Sequence, residues 1–249
     1  MQIPDYMMLR ADWSGREDTP LEQADMVAQC LQGLIGLGGM FDKPWYARHV
    51  GQPNQPINPT SVREDVAETL AATKTSFFLY TQEEQAETPC QDAYAWLWIS
   101  VSGSVDPEYL EGLPDWAHPI INSVILHIEQ GSGAEGQIPF KWIVGHGPEL
   151  VKLFVDVWRP EAVRLTEPDL QGYFDPDEEE WAWASPSYHM WLAESILSQN
   201  QMPDAPYRQA FQNGAIVGVD PSETDPREVA ENQIDWDPIY ACNDNPLEG

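Results

Sequence analysis

An α+β fold, a largely antiparallel β-sheet flanked by helices and carrying an acidic C-terminal arm, is what this sequence predicts. Three observations predict it. Helix-opening signatures stand near residues 19, 61 and 147. Between the second and the third, apolar periodicity changes from about 3.6 to two. The links between the period-two segments are Gly, Pro and Asp turns, suited to a meander rather than to βαβ crossovers.

Thr19-Pro20-Leu21-Glu22 is a capping box with proline at the first helical position. It opens a helix whose inward face is Leu21, Ala24, Val27, Leu31 and Leu34 and which ends at the glycines Gly36, Gly38 and Gly39. Ser61-Val62-Arg63-Glu64 repeats the signature and starts a shorter helix with Val62, Val66 and Leu70 inward. Phe77 to Tyr80, Ala95 to Val101 and Ile121 to Ile128 are β-branched and aromatic and predict strands. In the second of these, Ala95, Leu97, Ile99 and Val101 share one face and Tyr94, Trp96, Trp98 and Ser100 the other. Both faces are apolar near its start, so a central strand covered on both sides, by a helix on one, is expected. Gly147-Pro148 opens a third helix with Leu150, Val151, Phe154, Val157 and Trp158 in one stripe, stopped by Pro160. Residues 190–198 fit helix and strand equally.

After Asn200 the texture shifts: residues 201–249 hold ten acids against Arg208 and Arg227, with six prolines and one apolar run, Ala215 to Val219. The expected organisation is a domain over 1–200 with an acidic arm, 201–249, packed on it or trailing from it.

The chain of 249 residues carries 41 Asp and Glu against 12 Lys and Arg, a net charge of −29. From Thr75 to Phe140, and again from Leu165 to Tyr207, there is no Lys or Arg at all. Self-repulsion on this scale weakens a compact state, so it implies a solubility reason or a partner of opposite sign. Direct binding of nucleic acid needs basic patches that these spans lack. Eleven tryptophans, several of them (Trp13, Trp45, Trp116) beside charged or Pro-rich sequence, give the composition of a protein-binding surface. No apolar stretch reaches the ~20 residues of a membrane span, and the N-terminus has no secretory signal pattern. Cys30, Cys90 and Cys242 are odd in number and widely spaced, which argues against disulfides and zinc and for the cytoplasm.

Chemistry-bearing motifs are missing: GxSxG, a P-loop, GxGxxG before a helix and HExxH are all absent. The five histidines lack the i,i+3 or i,i+4 pairing of helical metal ligands; His146, just before a helix N-terminus, is the best placed to meet an anion. No catalytic residue, cofactor or metal is therefore assigned. The densest feature is FDPDEEEWAW, where Asp175, Asp177, Glu178, Glu179 and Glu180 precede Trp181 and Trp183. An EF-hand alignment from Asp175 puts Glu180 where a glycine belongs and Pro186 where the closing glutamate belongs, so calcium does not fit. These seven residues are the candidate partner-binding patch, with a plain solvated loop as the alternative.

The opening LRADWSGREDTPLEQADMVAQCLQGLIGLGGMFDKPWY resembles that of the immunity protein 52 family, in which Trp13, Arg16, Glu17, Phe41 and Trp45 match a tryptophan, an Arg-Glu pair, a long helix and an aromatic-plus-tryptophan closer. AYAWLWISVSG, NSVILHIE and ELVKLFVDVWRPE, ending in Trp158 and Pro160, follow in the same order, so the resemblance spans roughly residues 7–200. It implies a cytoplasmic antidote to a bacterial polymorphic toxin, such as a type VI secretion effector with a restriction-endonuclease-like nuclease domain, acting by stoichiometric protein binding and not as an enzyme. Trp13 and Arg16 are expected to be structural. An acidic adaptor for another basic protein, and a hydrolase using dispersed carboxylates, are the alternatives.

Overall fold

The computed structural model describes residues 4–13, 18–47, 55–57, 63–64, 66, 76–81, 91–100, 122–133, 136–171, 186–194 and 202–236. The chain has an α+β fold made of two compact units, residues 13–137 and residues 1–12 with 138–249. Within each unit every described strand pair is antiparallel.

The unit 13–137 contains helix α1 (Pro20–Leu37) and strands β2 (Tyr46–Ala47), β3 (Gln55–Pro56), β4 (Ser76–Tyr80), β5 (Tyr94–Ser100) and β6 (Asn122–Glu129), in the sheet order β3-β2-β4-β5-β6. The capping box forms as the sequence predicts: Thr19 accepts from the Glu22 backbone N–H, and the Glu22 carboxylate accepts from the Thr19 N–H at 2.8 Å. Ala24, Val27, Leu31 and Leu34 are fully buried, but Leu21 is 51% exposed. Gln23, Met26 and Cys30 are buried as well, and at 100° per residue Leu21 stands about 140° round the helix from the centre of that stripe, so the expected face is one residue too wide. Gly38, at φ 74°, ends the helix in a backbone conformation that a side chain would strain. Of the second predicted helix, Arg63, Glu64 and Val66 are helical; Val66 is fully buried, Arg63 pairs with Asp25 of α1, and Val62 and Leu70 lie outside the described residues.

The other unit adds β1 (Tyr6–Trp13, through Asp12), α2 (Phe140–Gly145), α3 (Gly147–Trp158), β7 (Ala162–Thr166), α4 (Pro168–Gln171), β8 (His189–Ala193), β9 (Tyr207–Phe211), β10 (Gly214–Gly218) and α5 (Pro226–Asn232). Its strands run β1-β7-β8-β10-β9. The apolar stripe of α3 is buried as predicted and packs on β7 and β8, and Arg159 closes the helix at a left-handed φ of 46° before Pro160. Of the ambiguous stretch 190–198, residues 190–193 belong to the strand His189–Ala193, where all five side chains are buried, and residues 195–198 lie outside the described residues. A strand covered on both faces has no polar alternation, which is why its period is unreadable. Within the segment expected as an arm, β9 and β10 form a hairpin paired to β8, closed by Gln212 at φ 53°. The run Ala215 to Val219 continues the sheet because Ile216, Val217 and Val219 are core residues, all at most 1% exposed.

Two buried polar groups fix this unit. Glu167 is fully buried, accepts from the Tyr188 hydroxyl at 2.6 Å and pairs with Arg227 of α5 at 2.6 Å. Burial, then the Glu167 carboxylate, push the Tyr188 phenol well above its usual pKa, so it stays a donor. His189 is buried with Nε2 3.0 Å from the Val144 carbonyl, in a slot that a Cβ at Gly147 would fill, meeting the ring at 2.0 Å. Desolvation lowers its pKa to about 4, only partly offset by the Val144 hydrogen bond.

Arg227→Met strips the counterion from a buried carboxylate and is expected to cost about 3–5 kcal/mol by urea unfolding. Adding Glu167→Gln should recover much of that; a double variant as unstable as the single one contradicts this account. For His189 the folded pKa lies below the ordinary 6.5. Between the two values the unfolded chain binds a proton that the folded chain refuses, so stability falls as pH falls from 6.5 towards about 4. The loss reaches roughly 3 kcal/mol. His189→Gln should remove this component from the pH dependence of urea unfolding, while carboxylate protonation contributes equally to both proteins.

Candidate functional site

The sheet of the unit 13–137 has two unlike faces. On one, Leu79, Ala95, Leu97, Ile99, Val124, Leu126 and Ile128 are all fully buried. On the other, Phe78, Tyr80, Tyr94, Trp96, Trp98, His127 and Glu129 are half-buried, while Ser123 and Ile125, at the Trp98 end, are buried. Strand alternation creates the division, and pairing register assembles the second face. Trp98 lies opposite Phe78, Trp96 lies between Tyr80 and His127, and Tyr94 lies opposite Glu129. The expected central position of β5 is met, but the cover expected on both its faces is complete on only one.

Ring contacts connect the row. Phe78 stacks on Trp98 at 6.1 Å between centroids and on Tyr80 at 6.4 Å, and His127 stacks on Trp96 at 4.2 Å with planes 15° apart. Such offset pairs add about 0.5–1.5 kcal/mol each beyond their area, so the face is a preformed surface rather than a set of loose side chains. Glu129 closes one end: one oxygen accepts from Trp96 Nε1 at 2.6 Å, the other from the Tyr94 hydroxyl. Its Oε1 is 3.9 Å from His127 Nδ1. Burial lowers the His127 pKa and Glu129 opposes that shift, so the imidazole is neutral at pH 7. Trp98 Nε1 is buried with no hydrogen-bond partner among the described residues.

A row of mutually stacked rings bordered by one oriented carboxylate has the make-up of a binding surface. Among the described residues no three or more His, Cys, Asp or Glu side chains converge as a metal site requires. His146, the predicted anion contact, turns back on its own helix: Nδ1 is 2.8 Å from the Trp142 carbonyl and the ring stacks on Trp142. Trp13, Phe41, Trp45 and Trp158 are at most 2% exposed, so the tryptophans that carry the family resemblance belong to the core. The candidate patch Asp175, Asp177, Glu178, Glu179, Glu180, Trp181 and Trp183 lies outside the described residues. Among the described residues no helix is long and apolar enough to cross a membrane.

The alternation of AYAWLWIS reveals Tyr94, Trp96 and Trp98. Phe78, Tyr80, His127 and Glu129 join them only through strand register, for which the sequence of one strand holds no signal.

No protein-family model matches the chain, and no curated protein matches it. Among solved structures it is similar to a T6SS protein of Pseudomonas aeruginosa, PA0821, at 9% sequence identity and a TM-score of 0.46. That likeness covers 85% of this chain and 64% of the other.

The two faces predict unequal mutational costs. Leu97→Ala should lower stability by about 3 kcal/mol, through lost burial and a cavity. Trp98→Ala, on the half-open face, should cost clearly less despite removing the larger side chain, as read by urea unfolding. Equal or reversed costs would mean that both faces are core.

Proposed function

We propose that this protein is a stoichiometric inhibitor: an immunity protein that binds and neutralises a cognate secreted bacterial toxin. Its partner in this reading is a type VI secretion effector with a restriction-endonuclease-like nuclease domain. The observation that carries the reading is the half-exposed aromatic face on β4, β5 and β6, set in a chain of net charge −29. No Lys or Arg occurs between Thr75 and Phe140, the span that supplies those strands. The short motifs quoted above, which resemble the immunity protein 52 family although no family model matches the chain, agree with this reading.

The physics of such a pair is simple. A nuclease holds DNA with basic walls, so an anionic protein is steered towards it, with association rates on the order of 10⁸–10⁹ M⁻¹s⁻¹ at low salt. Steering sets the rate of encounter; desolvated aromatic anchors then hold the complex. Trp96, Trp98 and Phe78 are such anchors, already ordered by mutual stacking, so little side-chain entropy is lost on binding. The inhibitor performs no reaction and acts in the cytoplasm of the producing cell. An acidic adaptor for a different basic protein would use the same face, and a neighbouring gene for a secreted nuclease-like domain separates the two.

Cleavage of DNA by the toxin domain encoded next to this gene, titrated with the purified protein, tests the proposal. Inhibition should saturate near one equivalent and onset should slow as salt is raised. Full cleavage at a large excess of the protein contradicts the pairing.

A further inference from the structure

Glu129 is a carboxylate held at the border of an aromatic surface. Each oxygen already accepts one hydrogen bond, from Trp96 Nε1 and from the Tyr94 hydroxyl. A carboxylate has about four acceptor positions, so roughly half remain. The side chain is 32% exposed. Two donors fix the plane of the group, so its remaining lone pairs point in set directions rather than following a mobile counterion. Among the described residues its one ion-pair neighbour is His127, which is neutral at pH 7.

We propose that Glu129 anchors an arginine side chain of a basic partner protein, with the guanidinium forked on the carboxylate and the stem lying along Trp96. This deepens the inhibitor reading and rests on it, since it names the chemistry by which the same face takes its partner. Arginine is favoured over lysine for three reasons. Its planar fork matches a carboxylate whose two oxygens are both oriented. It is less strongly hydrated than an ammonium, so it gives up water more readily at a half-buried site. Its plane and methylenes pack on aromatic side chains, and Tyr94 and Trp96, both hydrogen-bonded to the carboxylate, border it. No Lys or Arg occurs between Thr75 and Phe140, and among the described residues no Lys or Arg pairs with Glu129.

Capped hexaarginine and hexalysine peptides carry equal charge, so their affinities for the full chain, measured by calorimetry at physiological salt, separate guanidinium recognition from general attraction to an anionic protein. Hexaarginine should bind about tenfold more tightly. Glu129→Gln keeps the side-chain shape and should bring hexaarginine down to the hexalysine value while leaving hexalysine binding nearly unchanged, with an unaltered urea-unfolding transition showing that the variant is folded. Asp92→Asn, which removes one exposed carboxylate elsewhere in the same unit, should leave the preference intact. Equal affinity of the two peptides for the wild-type chain overturns the proposal whatever the variants do, and so does a preference that survives Glu129→Gln. Toxin neutralisation that is equally strong with Glu129→Gln rejects the arginine site but leaves the inhibitor reading standing. A Glu129-dependent arginine preference in a chain that neutralises no toxin keeps the site and rejects that reading.

Discussion

Scarcity of positive charge is the constraint on which this structure depends. With 12 Lys and Arg for 41 acids, every carboxylate that leaves water competes for very few counterions. Glu167 and Asp12, both nearly or fully buried, each have one: Arg227 stands 2.6 Å from Glu167, and Arg10 donates to both Asp12 oxygens at 2.8 and 2.9 Å. A buried carboxylate without such a partner would protonate or destabilise the fold by several kcal/mol. The consequence extends beyond the two pairs. Arg227 sits on α5 and Glu167 just after β7, so the ion pair and the Tyr188 hydroxyl fasten the C-terminal helix to the middle of the β1-β7-β8-β10-β9 sheet. Cations spent inside are not available outside, and the outward field stays anionic.

Within the unit 13–137 the two sides of the sheet differ. On one face of β4, β5 and β6 the aliphatic side chains Leu79, Ala95, Leu97, Ile99, Val124, Leu126 and Ile128 are fully buried and stabilise the unit 13–137. The other carries half-buried aromatic rings and the Glu129 carboxylate. Aromatic side chains exposed on a half-buried face are a liability unless they have a use, because contiguous apolar surface promotes association. A strongly negative chain limits that liability, because like charge repels other copies of the chain.

The sequence makes the local elements legible and the long-range ones obscure, for reasons that can be assigned. The α1 capping box, the α3 stripe ending at Pro160 and the alternation of β5 are local signals, complete within about ten residues, and all three are met. β1 and β7 were not anticipated: Met7, Leu9 and Ala11 alternate with Arg10 and Asp12, which read as surface residues until the cross-strand pairing that buries Asp12 is known. β10 was read as part of an arm, because five apolar residues among prolines and acids give no hint of the strand they pair with. The candidate site follows the same rule. Tyr94, Trp96 and Trp98 share a face by alternation alone, whereas Glu129, which orients the face chemically, is brought beside Tyr94 by a register of the β5–β6 pair that no single segment encodes.

The central claim is that the aromatic face of β4, β5 and β6 is where a partner docks, and ¹⁹F NMR of the protein labelled with 5-fluorotryptophan tests it most directly. Resonances assigned by single Trp→Phe substitutions are followed as the candidate toxin domain is added. The account predicts that Trp96 and Trp98 shift and broaden while the core residues Trp45 and Trp158 keep their positions. A bound complex in which Trp96 and Trp98 are unmoved would contradict it.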